Sequence, residues 1–219
     1  MEAKTALLAG STGLIGSHCL SLLLASPVYA HVYSLSRRST GTKHSKLQEQ
    51  IIDFERALSL ELPSANIDVY CCLGTTIAKA GSQEKFRKVD FDYVLNLGRF
   101  AKEINATSFS VVSSLGADSS SGVFYLQVKG EIEAALHELK LSSLHIFQPS
   151  LLLGKREETR FGEEMGSFLS GLISPIFIGG LKKYKPIAGE TVAKAMLHYA
   201  QTPNPGSKIY QSDRLQDFQ

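Results

Sequence analysis

Apolar residues along the chain follow two alternating spacings. Short continuous runs rich in Val, Ile, Leu and Phe occur at Thr5–Gly10, Val32–Ser36, Ile67–Leu73, Phe109–Ser113 and Leu144–Phe147. Runs of this length without a polar face predict strands buried on both sides. Between them, apolar residues recur every three or four positions, which predicts helices over Leu14–Ala25, Phe86–Ile104 and Val123–Leu139. Val89, Tyr93, Leu97 and Ala101 share one face of the second helix, and the third carries Leu126, Gly130, Ile132, Leu136 and Leu139. The stretch Lys43–Pro63 is mixed: Lys46–Glu49 suits helix, whereas Gln50–Phe54 reads as a third strand ending near Asp53. Strands alternating with helices predict an α/β fold whose doubly wound, mainly parallel sheet is joined by right-handed crossovers.

The 219 residues are 43% hydrophobic, enough for one core, so a single domain over 1–219 is expected, with 155–190 as a small C-terminal substrate lobe or lid. That lobe is suggested by a change of pattern after Gly154. Lys155–Arg160 is charged, and Phe168–Leu181 is apolar but broken by Gly171, Pro175, Gly179 and Gly180. It is too short and interrupted to span a bilayer and reads as a substrate cover or packing surface, so no membrane insertion is expected. A net charge of +2 gives no reason to expect nucleic acid as a partner. Cys19, Cys71 and Cys72 are odd in number and two are adjacent, which argues against a disulfide framework. The histidines fall singly, without the paired spacing of metal ligands, so no metal is expected. Met1–Lys4 runs into the first apolar stretch without the pattern of a secretory leader, and a cytoplasmic address follows as the default.

The first strand ends in Gly10-Ser11-Thr12-Gly13-Leu14-Ile15-Gly16 and a helix begins there. Three glycines in that context fit a Rossmann-like dinucleotide loop: Gly10 for the turn, Gly13 for approach of a pyrophosphate, Gly16 for close helix packing. The pyrophosphate would rest on the N–H groups of the helix start, with hydroxyls of Ser11 and Thr12 beside them. The second strand is followed by Arg37 and Arg38 and no carboxylate. A carboxylate there binds the ribose hydroxyls of NAD, whereas arginine accommodates a 2′-phosphate, so NADP(H) is the expected cofactor.

The fifth strand closes with Ser113-Ser114, and the next helix holds Tyr125 and Lys129 one turn apart on one face. A lysine cation beside a phenol favours the phenolate. Tyr125 is then placed to give a proton to a carbonyl oxygen, with either Ser113 or Ser114 bonding that oxygen while a nicotinamide supplies hydride. Lys129 is also placed to hold the nicotinamide ribose.

Together these residues resemble the short-chain dehydrogenase/reductase superfamily in its extended or atypical branch. The stretches CCLGTT (71–76), SSLGAD (113–118), FYLQVKGEIEA (124–134) and REETRFGE (156–163) are similar to the Tat-interacting protein family of atypical short-chain dehydrogenases. This resemblance implies catalytic positions at Tyr125 and Lys129, the serine position at Ser113 or Ser114, and 2′-phosphate positions at Arg37 and Arg38. It further implies an adenine contact at Asp53, a cofactor-lining loop at Leu73 and Gly74, and closure over the nicotinamide by Leu152 and Arg160. Gln148-Pro149-Ser150 departs from the arginine, proline and glycine more frequent in the family.

The expected function is NADPH-dependent hydride transfer to a small carbonyl or quinone-like acceptor of unnamed structure, with Tyr125 as acid/base. The alternative is an NADPH-binding regulatory module that works through a protein partner or as a homodimer. A nucleotide-sugar epimerase or dehydratase is the third reading.

Overall fold

The computed structural model describes residues 3–56, 58–62, 66–153, 179–202 and 204–219. Its frame is a seven-stranded, wholly parallel sheet of β1 (Lys4–Ala9), β2 (Tyr29–Ser36), β3 (Leu47–Ile51), β4 (Ile67–Cys71), β5 (Ser108–Val112), β6 (Ser143–Gln148) and β9 (Gly206–Gln211). The order across the sheet is β3-β2-β1-β4-β5-β6-β9. A separate two-stranded parallel pair joins β7 (Leu152–Leu153) to β8 (Ile187–Ala188). This is the Rossmann-like arrangement that the alternating pattern predicts.

Both faces of the sheet are covered, which is why its central strands read as unbroken apolar runs. On one face Leu7, Val69, Phe109 and Ile146 meet Leu97 and Phe100 of α4 (Tyr93–Glu103) and Ile132 and Leu136 of α5 (Phe124–Glu138). On the other, Leu8, Tyr70 and Phe147 meet Cys19 and Leu23 of α1 (Leu14–Ala25) and Val192 and Met196 of α6 (Gly189–Gln201). Two short helices, α2 (Ile77–Ala80) and α3 (Gln83–Arg87), follow β4, and α3 runs through a π turn at Lys88–Asp92 into α4. The helix expected over Phe86–Ile104 is therefore present but contains an extra-wide turn.

The third strand lies earlier than expected. It spans Leu47–Ile51, pairs with β2 from Val32↔Leu47 to Ser36↔Ile51, and leaves Asp53 beyond its end. As an edge strand it is only partly buried along its length, so no apolar run marks it. The same reason hides β9, whose side chains are mostly exposed apart from Tyr210. Of the proposed lobe, 155–178 lies outside the described residues. After it come a 3-10 turn at Gly179–Tyr184, which carries Lys182 and Lys183, and then β8.

His145 of β6 is fully buried, between the Ser143 and Tyr210 hydroxyls at 2.9 and 3.0 Å and stacked on Tyr210 and Tyr199. Burial lowers its pKa to about 4. An unfolded histidine takes up its proton near pH 6.5, so the unfolded state binds more protons between about 6.5 and 4, and folding loses stability as pH falls through that window. Urea unfolding of wild type and His145→Gln should show the advantage of wild type shrinking across that interval. A constant difference would remove His145 as its source.

Candidate active site

The glycine loop is held by the chain's own backbone before any ligand is considered. Gly10 has φ +87°, and a Cβ there would lie 2.5 Å from the Cys72 carbonyl oxygen at the end of β4. A Cβ at Gly16 would collide with the Gly10 carbonyl. Gly13 differs: it is exposed, and an added Cβ would meet Gly10 O at 3.3 Å. Two of the glycines thus let α1 begin tight against β1 and β4, and the third leaves the helix start open. No acidic residue occupies the first turn of α1. The Ser11 hydroxyl is turned inward, accepting from Ser34 Oγ at 2.7 Å, and the Ile15 side chain is in the core. At these two positions and at Leu14, the loop offers backbone N–H groups; Thr12 is exposed.

Arg37 and Arg38 follow β2 and are exposed. Their loop is folded back on β3, because Glu49 accepts from Ser39 Oγ and from both Thr40 N and Oγ1 at 2.5–2.6 Å. Those bonds, led by the Ser39 hydroxyl, hold the Glu49 carboxyl below its usual range. Asp53 pairs with Arg56 at 3.4 Å on the same rim.

Lys129 is 5% exposed, and its Nζ is 2.7 Å from Oδ1 of Asp90, itself 1% exposed. Burial works to lower the lysine pKa, but the Asp90 charge, with smaller contributions from Tyr125 and Cys71, holds it above the ordinary value. The other oxygen of Asp90 accepts from Thr75 N at 2.8 Å, and a Cβ on Gly74 would lie 3.4 Å from Oδ1. Leu73, next in this loop, packs on the core. Tyr125 is half-buried, with its ring centroid 5.5 Å from that of Phe86. Helix α5 is seated by Gly130, where a Cβ would run into Asp118 and Ser119 of the loop after β5.

The two serines separate. The Ser113 hydroxyl donates to Oε1 of Glu133, which also receives Gln148 Nε2 at 3.0 Å. Burial raises the Glu133 pKa, and the bonds from Ser113 and Gln148 oppose this. Glu133, Gln148, Gln211 and Arg214 line an open cavity of about 580 Å³. Ser114 is half-buried, and its Oγ makes a 3.4 Å contact with its neighbour's carbonyl. Leu152 lies in β7, partly buried against the α1 face, and Arg160 falls outside the described residues.

Sequence reasoning missed Asp90 and Glu133. Asp90 lies four residues from Phe86 and from Val94, both buried, so an acid on an apolar helical face was the available signal. Glu133 lies one turn beyond Lys129.

Residues 6–116 match the NAD dependent epimerase/dehydratase family. The chain belongs to that family. Across nearly its whole length it is also similar to Protein HTATIP2 of Rattus norvegicus, 35% identical over 94% of this chain and 85% of that protein. The resemblance to the Tat-interacting protein family therefore holds. Protein FMP52, mitochondrial, of Debaryomyces hansenii is 32% identical over 91% and 88%. Among epimerase/dehydratase-type folds, the UDP-glucose 4-epimerase of Thermotoga maritima, solved with UDP-glucose, superposes with a TM-score of 0.67 at 15% identity, over 94% of this chain and 76% of that one. WbmH of Bordetella bronchiseptica, in complex with NAD+, gives 0.66 at 14%, over 96% and 76%. At such identities these structures establish the fold alone.

The relatives correct one expectation. Several are named as mitochondrial, which overturns the cytoplasmic address. That expectation rested on the lack of a secretory pattern, which does not discriminate among compartments inside the cell. Among the described residues no helix is long and apolar enough to cross a membrane, and no group of three or more His, Cys, Asp or Glu is placed to hold a metal. The cysteines are free thiols; Cys19 and Cys72 lie 3.8 Å apart, and burial pushes Cys71 up to about 12.

The glycine contacts make a direct prediction for this family member. Gly16→Ala should cost about 3 kcal/mol or more through backbone overpacking, whereas Gly13→Ala should cost about 1 kcal/mol, the loss of a tolerable N-cap. Denaturant unfolding of the two variants checks the ranking, and equal losses would contradict it.

Proposed function

We propose that the protein is an NADPH-dependent oxidoreductase that reduces a small carbonyl or quinone-like acceptor. The observation that carries this reading is the placement of Tyr125 and the buried, charge-paired Lys129 on α5 beside the loop Leu73–Thr75. The cofactor fits the residues present. An open helix start at Gly13 without a carboxylate in its first turn suits a pyrophosphate, and exposed Arg37 and Arg38 suit a 2′-phosphate. When bound, a nicotinamide supplies the hydride.

The chain's own groups do the rest. Lys129 Nζ is ion-paired with Asp90 Oδ1 at 2.7 Å, and its N–H donors serve a ribose hydroxyl and the Tyr125 oxygen. Tyr125 holds the proton that passes to the acceptor oxygen. Ser113 is committed to Glu133, so Ser114 is the serine left to bond that oxygen.

Purified protein with aldehydes, ketones and quinones should consume NADPH. Tyr125→Phe should lower turnover about a hundredfold or more while NADPH binding is retained, because it removes a proton donor and little volume. Full activity in that variant would remove Tyr125 from its role. The double substitution Arg37→Ala with Arg38→Ala should weaken NADPH about tenfold or more, the scale of lost charge-assisted bonds, and leave NADH nearly unchanged. Calorimetric titration with both nucleotides reads this. An unchanged preference would place specificity elsewhere.

A further inference from the structure

We propose that Cys19 and Cys72 form a modification site, a thiol pair that oxidises reversibly to a disulfide joining α1 to the exit of β4. Successive residues of an extended chain point to opposite faces of the sheet. Cys71 therefore enters the core under α4, and Cys72 turns to the other face, where α1 lies. There its Sγ donates to Cys19 Sγ at 3.8 Å, and Cys19 Sγ donates in turn to the Met196 thioether at 4.0 Å. Cys19 is fully buried, and Cys72 is the more accessible of the two residues. The bond to Cys19, together with burial, holds the Cys72 thiol above its usual range. Thiolate is then scarce, and the pair stays reduced without an added oxidant. Reversible bonds of this kind, not structural frameworks, are the common disulfides of reducing compartments.

With a peroxide as oxidant, the Cys72 sulfur attacks one peroxide oxygen and the O–O bond breaks, giving a sulfenic acid and one water. The Cys19 sulfur then displaces hydroxide from the Cys72 sulfur. The S–S bond forms, the S–O bond breaks, and the Cys19 proton leaves with the hydroxide as a second water. The two thiols together lose two electrons to the peroxide. A disulfide brings its sulfurs to about 2.0 Å, so the pair must close from 3.8 Å. The backbone on both sides has little room to follow. Cys72 N donates to Ala9 O at 2.8 Å, the Cys72 carbonyl lies against Gly10, and Gly16 lies against the Gly10 carbonyl. Cys19 comes shortly after Gly16 on α1, and Leu73 follows Cys72 directly. Closing the bond therefore pulls on the contacts that set the start of α1 and the loop Leu73–Thr75, the two elements assigned to the cofactor. This consequence rests on the proposed function, whereas the bond itself does not.

The test treats the purified chain with hydrogen peroxide, blocks the remaining free thiols, and maps its peptides by mass spectrometry without reductant. The expected product is a Cys19 peptide joined to the Cys71–Cys72 peptide within one molecule and released by dithiothreitol. It should form in Cys71→Ala and be absent from both Cys19→Ala and Cys72→Ala. Calorimetry should show NADPH binding weakened about tenfold in the oxidised protein, the scale of a coupling between two sites. Dithiothreitol should restore it, and peroxide should leave it unchanged in Cys19→Ala. Should Cys19→Ala fail to fold, Cys72→Ala and the peptide map of wild type carry the result. Peroxide treatment that leaves both thiols free, or that joins another pair, would overturn the site. A mapped Cys19–Cys72 bond with unchanged NADPH affinity overturns its link to the cofactor. Reduced protein that binds no NADPH overturns the proposed function, while the peptide map still decides the site.

Discussion

The whole upper edge of the sheet is organised by how closely one backbone turn can approach two others. Gly10 lies against the Cys72 carbonyl and Gly16 against Gly10, so β1, β4 and the start of α1 meet with no side chain between them. This contact decides where α1 begins and therefore where its unpaired N–H groups point. It also brings the end of β4 beside the glycine loop, and the next residues of that strand's exit are Leu73, Gly74 and Thr75. A helix displaced outward by even one methyl group would separate the helix terminus from the loop that Asp90 anchors.

Burying a lysine is costly, and the fold meets that cost by burying an acid with it. Pairs of this kind add little net stability compared with an apolar pair, but they fix geometry, and removal of one partner leaves the other uncompensated. Lys129 is held on a helix whose own seating depends on Gly130 passing over Asp118 and Ser119. Position and charge are thus set by separate contacts: backbone packing fixes the height of α5, and Asp90 compensates the charge of the ammonium. Glu133 does the same for Ser113, which separates two adjacent serines that the sequence leaves equivalent.

Much of this was legible in the chain before folding, and the exceptions have physical causes. Central strands such as β1 and β5 are buried on both faces and declare themselves as apolar runs. Edge strands such as β3 and β9 bury only part of their surface, so polar residues are tolerated and the signal fades. The Tyr125–Lys129 spacing is local and survives translation into structure, as does the glycine pattern. The partner of Lys129 is 39 positions away by way of a π turn, and helical periodicity assigns Asp90 to a generic face instead of to a bond. Ser113 and Ser114 differ only through Glu133 on another element, and no spacing within the strand could distinguish them.

Two kinds of buried polar network divide the sheet between stability and chemistry. Near the amino ends of the strands, Asp68 accepts from Lys4, Tyr29 and Ser108 at 2.8–3.0 Å, and burial with the Asp68 charge keeps the Tyr29 phenol protonated. His145 is enclosed likewise between Ser143 and Tyr210. These networks are closed: each group's partners come from the chain, and the fixed hydrogen bonds lock strand register. At the carboxyl ends the networks stop short of closure. Lys129 is ion-paired with Asp90 beside the exit of β4, Glu133 borders a cavity, and Arg37 and Arg38 extend into solvent. Ligands of open α/β sheets bind at the carboxyl ends of the strands, and here that is where charged groups face a cavity or solvent. The same residue types therefore serve two purposes, and what separates them is whether the chain itself supplies the last hydrogen bond.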